Sequence, residues 1–193
     1  MSNQLFAKLQ KNYIAYEEER HLIIKLSSDV LQKAKQAIFS LHRDEIKEAG
    51  ALLAEAEKIM QDISTKFEEK KKLKFEGSYK AALEEYIEAK LFYMYLTEGK
   101  ISEIKEVSAD ADDYLGAVTD YTGELLRKAV LLATEGKYKE VKKIKEEMSS
   151  VLAELIKLNL TGYLRTKYDA AKRNLKRMEE MLYEITIKFG KIE

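Results

Sequence analysis

Apolar residues recur three and four positions apart along nearly the whole chain, the spacing that lines one face of an α-helix. Leu5, Leu9, Tyr13, Tyr16, Leu22, Ile24, Leu31 and Ile38 trace one long helix over about residues 5–41. His42-Arg43-Asp44 then interrupts the pattern. Asp44 is a suitable N-cap for a second helix reaching about Lys70, with an inward stripe of Ile46, Leu52, Leu53, Ala56, Ile59, Met60, Ile63 and Phe67. Gly77-Ser78 opens a third helix that stops near Gly99, with Ser78 as its expected cap. A connector over 101–109, with room for a helical turn, leads to a fourth helix from about Asp110 to Glu135, ending at Gly136 as helices often do. A fifth helix over about 138–158 and a sixth from Tyr163 to about Phe189 complete the chain. Short connections favour antiparallel neighbours. The pattern therefore predicts an all-α fold, an antiparallel bundle of about six to seven helices forming a single domain over residues 1–193.

Composition narrows this further. There is no Pro and there are only 8 Gly among 193 residues, so the usual helix breakers are scarce. Cys is absent, which excludes disulfides, thiolate metal sites and a cysteine nucleophile. The N-terminus leads into a charged amphipathic stretch, and no apolar run is long enough to span a bilayer, so a cytoplasmic protein without membrane contact is expected. The 34 basic and 34 acidic residues cancel, which argues against a uniformly basic coat around nucleic acid but leaves local basic surfaces open.

The chemistry concentrates in acids. Asp113, Asp120 and Glu124 are spaced so that they share one side of the fourth helix, and like charges stacked this way cost a few tenths of a kcal/mol per pair, ~0.2–0.5, unless a cation offsets them. The third helix offers Glu85 and Glu88 on neighbouring turns. A single carboxylate on an amphipathic helix is ordinarily just solvated. These lie closer to apolar neighbours than the Glu-rich exterior of the second helix does: Glu85 precedes Tyr86 and Ile87, and Asp120 sits between Val118 and Leu125. Opposed pairs on adjacent helices would supply the hard oxygen ligands that Mg²⁺ or Mn²⁺ favours. A di-iron carboxylate bundle is the competing reading, but the two histidines, His21 and His42, do not complete its Glu-x-x-His pairs. A hard-cation site of this kind is suited to phosphodiester hydrolysis.

The segment from Asp113-Tyr114-Leu115 through Val118-Thr119-Asp120-Tyr121-Thr122-Gly123-Glu124-Leu125 resembles the translin superfamily. So do Glu85-Tyr86-Ile87-Glu88-Ala89, Leu41-His42-Arg43, Tyr163-Leu164-Arg165-Thr166-Lys167-Tyr168-Asp169-Ala170 and Glu179-Glu180-Met181-Leu182-Tyr183-Glu184. Each motif is short, but their order covers most of the chain, and the acidic pairs make it more similar to the translin-associated factor X branch, as a compact archaeal-type relative. The resemblance implies a hollow homo-oligomer, typically of eight subunits, that encloses single-stranded RNA and cuts it as a Mg²⁺-dependent endoribonuclease. It assigns Glu85, Glu88, Asp120 and Glu124 as catalytic and metal-binding residues, with Asp113 aligned but without a clear role. The alternative within the family is a translin-like binder of single-stranded RNA or DNA that does not cut.

RNA contacts are less sharply marked. Lys71, within Lys70-Lys71-Lys72-Leu73-Lys74, and Arg127, Lys128 and Arg43 are the candidates, with Arg165 behind them. A lysine run at a helix end is as readily explained by the helix dipole. Phe92, Tyr93 and Tyr95 could stack on unpaired bases, although aromatics at helical spacing usually pack inside.

Overall fold

Six helices carry the structure, which is a computed structural model describing residues 2–67 and 76–190. They are α1 (Ser2–His42), α2 (Ile46–Lys66), α3 (Gly77–Glu98), α4 (Ala111–Thr134), α5 (Tyr138–Leu155) and α6 (Gly162–Phe189). The expected all-α bundle is borne out. α1 packs on α2 and α3, α3 on α4, and α4 on both α5 and α6, so α3 and α4 lie at the centre of the packing.

Period explains burial. On α2 the stripe Ala49, Leu53, Ala56, Met60 and Ile63 is buried, while Ile46, Leu52 and Ile59 flank it, half-buried. α3 buries almost a full circumference, including Tyr79, Leu83, Tyr86, Ile87, Leu91 and Phe92, because it has neighbours on several sides. α1 changes character along its length. Ile23, Val30, Ala34, Ala37 and Leu41 are in the core, whereas Leu5, Leu9, Tyr13 and Tyr16 remain exposed, so the first four turns find no partner within the described residues of this subunit.

Two expected caps are replaced. Asp44 does not cap α2; Glu45 holds that position, and Asp44 sits in the left-handed region at φ 63°. Its carboxylate accepts a hydrogen bond from Lys128 at 2.7 Å. Ser78 lies inside α3, whose N-cap is Glu76. The connector over 101–109 has no helical turn; it is pinned to α4, where Ile104 N donates to the Tyr114 hydroxyl at 3.1 Å and that hydroxyl donates to Ser102 O at 3.3 Å. The proposed extension of the second helix to Lys70, and Lys71 with its neighbouring lysines, lie outside the described residues.

Candidate functional site

α3 and α4 face each other with their acids on the shared side. Glu85 and Glu88 are a turn apart on α3, Asp120 and Glu124 a turn apart on α4, and the α4 acids act electrostatically on both α3 acids. Glu88 is the deepest. Burial, then repulsion from Glu85, Asp120 and Glu124, pushes its carboxyl up to about 9, so it holds a proton at neutral pH. Glu85 is half-buried and shifted upward as well, chiefly by desolvation, with Lys35 of α1 the main charge working the other way.

Two basic side chains reach this site from distant parts of the chain. Lys167 of α6 pairs with both Asp120 and Glu84, the acid next to Glu85. Burial opposes the Lys167 charge, but its hydrogen bonds to Asp120, Glu84 and Tyr163 outweigh that and raise its proton affinity. The Tyr163 hydroxyl donates to Glu84 at 3.0 Å, and the Lys167 ammonium stands 4.9 Å from the Tyr163 ring centre. Gly116 makes room for this cluster, since a Cβ there would lie 2.4 Å from Glu84 Oε1. On the other side His42 Nε2 lies 2.5 Å from Glu124 Oε2, its ring is buried against Phe92, and Nδ1 has no hydrogen-bond partner among the described residues.

A donor set of oxygens alone fits a hard divalent cation in chemistry, and the raised carboxyl of Glu88 reflects burial first and then neighbouring negative charge, the part that a dication would relieve. Among the described residues, however, no three acidic or histidine side chains stand close enough together to share an ion. Asp120 is held by Lys167, and Glu124 by His42 and by Arg127 at 3.8 Å.

The other candidates separate. Asp113 pairs with Lys80 of α3 at 3.3 Å. Arg127 is exposed. Lys128 is buried, and its ammonium donates to Asp44 and, at 3.4 Å, to the carbonyls of Leu41 and His42, satisfying the C-terminal end of α1. These contacts give Lys128 a structural role at the end of α1. Arg43 is exposed, 2.9 Å from Glu45 and 5.6 Å from the Phe39 ring centre. Arg165 pairs with Asp169 at 3.2 Å. Phe92 is fully buried and Tyr93 and Tyr95 are partly so, packed on the core; burial pushes Tyr95 up to about 12. Sequence reasoning missed Glu84, Lys167 and the pairing of His42. The one local signal was Tyr163 and Lys167 standing four apart at the start of the last helix.

No helix among the described residues is long and apolar enough to cross a membrane. Similarity to known proteins agrees with the fold. Translin from Gallus gallus is 28% identical over 144 residues, 67% of this chain and 63% of that protein. Translin-associated protein X homolog from Schizosaccharomyces pombe is 27% identical over 153 residues, 72% of this chain and 65% of that protein, so the matched part spans less than two thirds of either relative. Among solved structures, AfC3PO superposes with a TM-score of 0.88 at 20% identity, covering 95% of this chain and 98% of that one. Apo-NeC3PO gives 0.84 at 24% identity, covering 92% and 95%. Residues 18–189 match the Translin family, which fixes the assignment: the chain belongs to the Translin family.

Proposed function

We propose that the chain is the subunit of a homo-oligomeric, Mg²⁺-dependent endoribonuclease that hydrolyses phosphodiesters of single-stranded RNA, with Mn²⁺ able to replace Mg²⁺. The observation that carries this is that Glu85 and Glu88 on α3 face Asp120 and Glu124 on α4, near enough that burial first and then the other three acids raise the Glu88 carboxyl. Glu85, Glu88, Asp120 and Glu124 would hold the ion. Once bound, a hard dication supplies charge neutralisation at a phosphate oxygen and lowers the pKa of a bound water. The protein's own part is to aim the carboxylates: Lys167 fixes Asp120, His42 fixes Glu124, and Arg127 stands beside Glu124 where it can hold a phosphate.

A second reading has its own support. The absence, among the described residues, of three acids close enough to share an ion, and the engagement of Asp120 and Glu124 with Lys167 and His42, favour a binder that does not cut. AfC3PO was also solved in complex with duplex RNA, with a TM-score of 0.87 to this chain, which supports RNA as the ligand and makes strand preference a point for direct test. One labelled sequence, offered as a free strand and as a blunt duplex with Mg²⁺, Ca²⁺ or chelator, separates the readings. The nuclease cuts the free strand faster and stops on chelation; Glu88→Gln and Asp120→Asn abolish cutting and retain binding. Cutting that survives chelation, or that is unchanged in both variants, rules the acidic site out. Binding without cutting under every condition leaves the translin-like binder.

A further inference from the structure

On α1, Lys35, Phe39 and His42 stand at positions i, i+4 and i+7 and share one stripe of the helix. One end of that stripe meets the acidic site, where His42 is bonded to Glu124, and from the other end Lys35 acts on Glu85 electrostatically. Between them Phe39 is 54% exposed, with the Arg43 guanidinium 5.6 Å from its ring centre. A lone exposed phenylalanine means little. This one stands in a groove of about 650 Å³ lined by Lys35, Gln36, Phe39 and Arg43 on one side and by Glu48 and Leu52 on the other. The two cations and the ring span about 12 Å of helix, from residue 35 to residue 43. Glu48 repels phosphate on the far rim, which leaves the α1 rim for the backbone, and Arg43 is paired at 2.9 Å with Glu45 in an exposed contact that a phosphate can replace.

Resting on the RNA reading above, we infer that this α1 groove is the track that leads a single strand to the acids, with Lys35 and Arg43 holding phosphates and Phe39 stacking on an unpaired base. Stacking requires only a base face, so the track is tolerant of sequence and closed to the paired interior of a duplex.

The test is binding of a fluorescein-labelled oligouridylate in chelator, where no cleavage intervenes, followed by anisotropy over a series of salt concentrations. Phe39→Ala and Phe39→Leu should each weaken binding about fivefold or more, with Phe39→Tyr close to wild type. Lys35→Gln and Arg43→Gln should each reduce the slope of log K against log salt by about 0.7, the value for one phosphate contact on a single strand. Circular dichroism melts confirm folding, and light scattering gives the particle mass. Wild-type affinity in Phe39→Ala and Phe39→Leu, or unchanged salt slopes in the two charge variants, overturns the track while leaving the RNA reading intact. A fall in particle mass in Phe39→Ala overturns it in favour of a contact between copies of the chain. Failure of the wild-type protein to bind the strand overturns the RNA reading itself.

Discussion

Lys167 on α6 is paired with Asp120 on α4, across 47 residues of sequence. The pair gives the acidic site a cation of its own and ties the last helix to the two central ones, since the same ammonium also holds Glu84 of α3. Three helices are therefore joined at one side chain.

Replacing Lys167 by Met should lower the unfolding free energy by roughly 1–2 kcal/mol. Removing one partner of a buried pair costs about 3–5 kcal/mol, but exposed pairs are worth about 1 or less, and the Asp120 side chain is 41% exposed. Urea unfolding measures this. Mg²⁺ should recover part of the loss by giving Asp120 another cation. Lys167→Arg, which keeps the charge, should lose less. Equal stability of Lys167→Met and wild type would mean the pair contributes nothing.

Stability should fall as pH rises in the absence of divalent metal. The Glu88 carboxyl is pushed from its ordinary 4.5 to about 9 by burial and by its acidic neighbours, so between those values the folded chain holds a proton that the unfolded chain has released. That contribution is fully present below about 4.5 and is lost as pH climbs through about 9. Glu85 is shifted the same way and adds to the trend. Melting temperatures in chelator should therefore decline from about pH 5 to about pH 9, and Glu88→Gln, an isostere of the protonated acid, should flatten the decline. A Glu88→Gln profile parallel to wild type would remove Glu88 as its source.

Lys128→Met should cost about 1–3 kcal/mol, the typical cost of leaving buried polar groups unsatisfied. The carbonyls of Leu41 and His42 and the Asp44 carboxylate would lose their shared donor at the end of α1. RNA affinity per folded particle should be unchanged, because the ammonium is already engaged by Asp44 and the two carbonyls. Denaturation and anisotropy on the same preparation check both halves. A lost salt-slope increment in Lys128→Met would show that it does reach a phosphate.

The exposed first turns of α1 should be covered by another copy of the chain. Leu5, Phe6, Leu9 and Tyr13 are 57%, 65%, 52% and 65% exposed on consecutive turns, a contiguous apolar stripe of the kind that marks an interaction surface. Light scattering should give a mass several times 22.3 kDa, and Leu9→Ser with Tyr13→Ser should reduce it. A monomer at micromolar concentration would refute both the assembly and an enclosed RNA site.

What the sequence by itself determined is the local part. Helix periods of three and four, the scarcity of breakers and the glycines at residues 99 and 136 placed six helices within a few residues of their ends, because helix formation is decided by neighbours a turn apart. The Glu85–Glu88 and Asp120–Glu124 pairs were legible for the same reason. The tertiary structure decided everything that depends on which faces meet. It put Glu84 beside Gly116, brought Lys167 to Asp120 across 47 residues and His42 to Glu124 across 82, and turned Lys128 inward to the end of α1. It also sent Phe92 into the core and left Phe39 at the surface. A lone Lys, His or Phe carries the same local signal whichever way it points. Its role is set by the desolvation and pairing that packing imposes, and those come from distant segments.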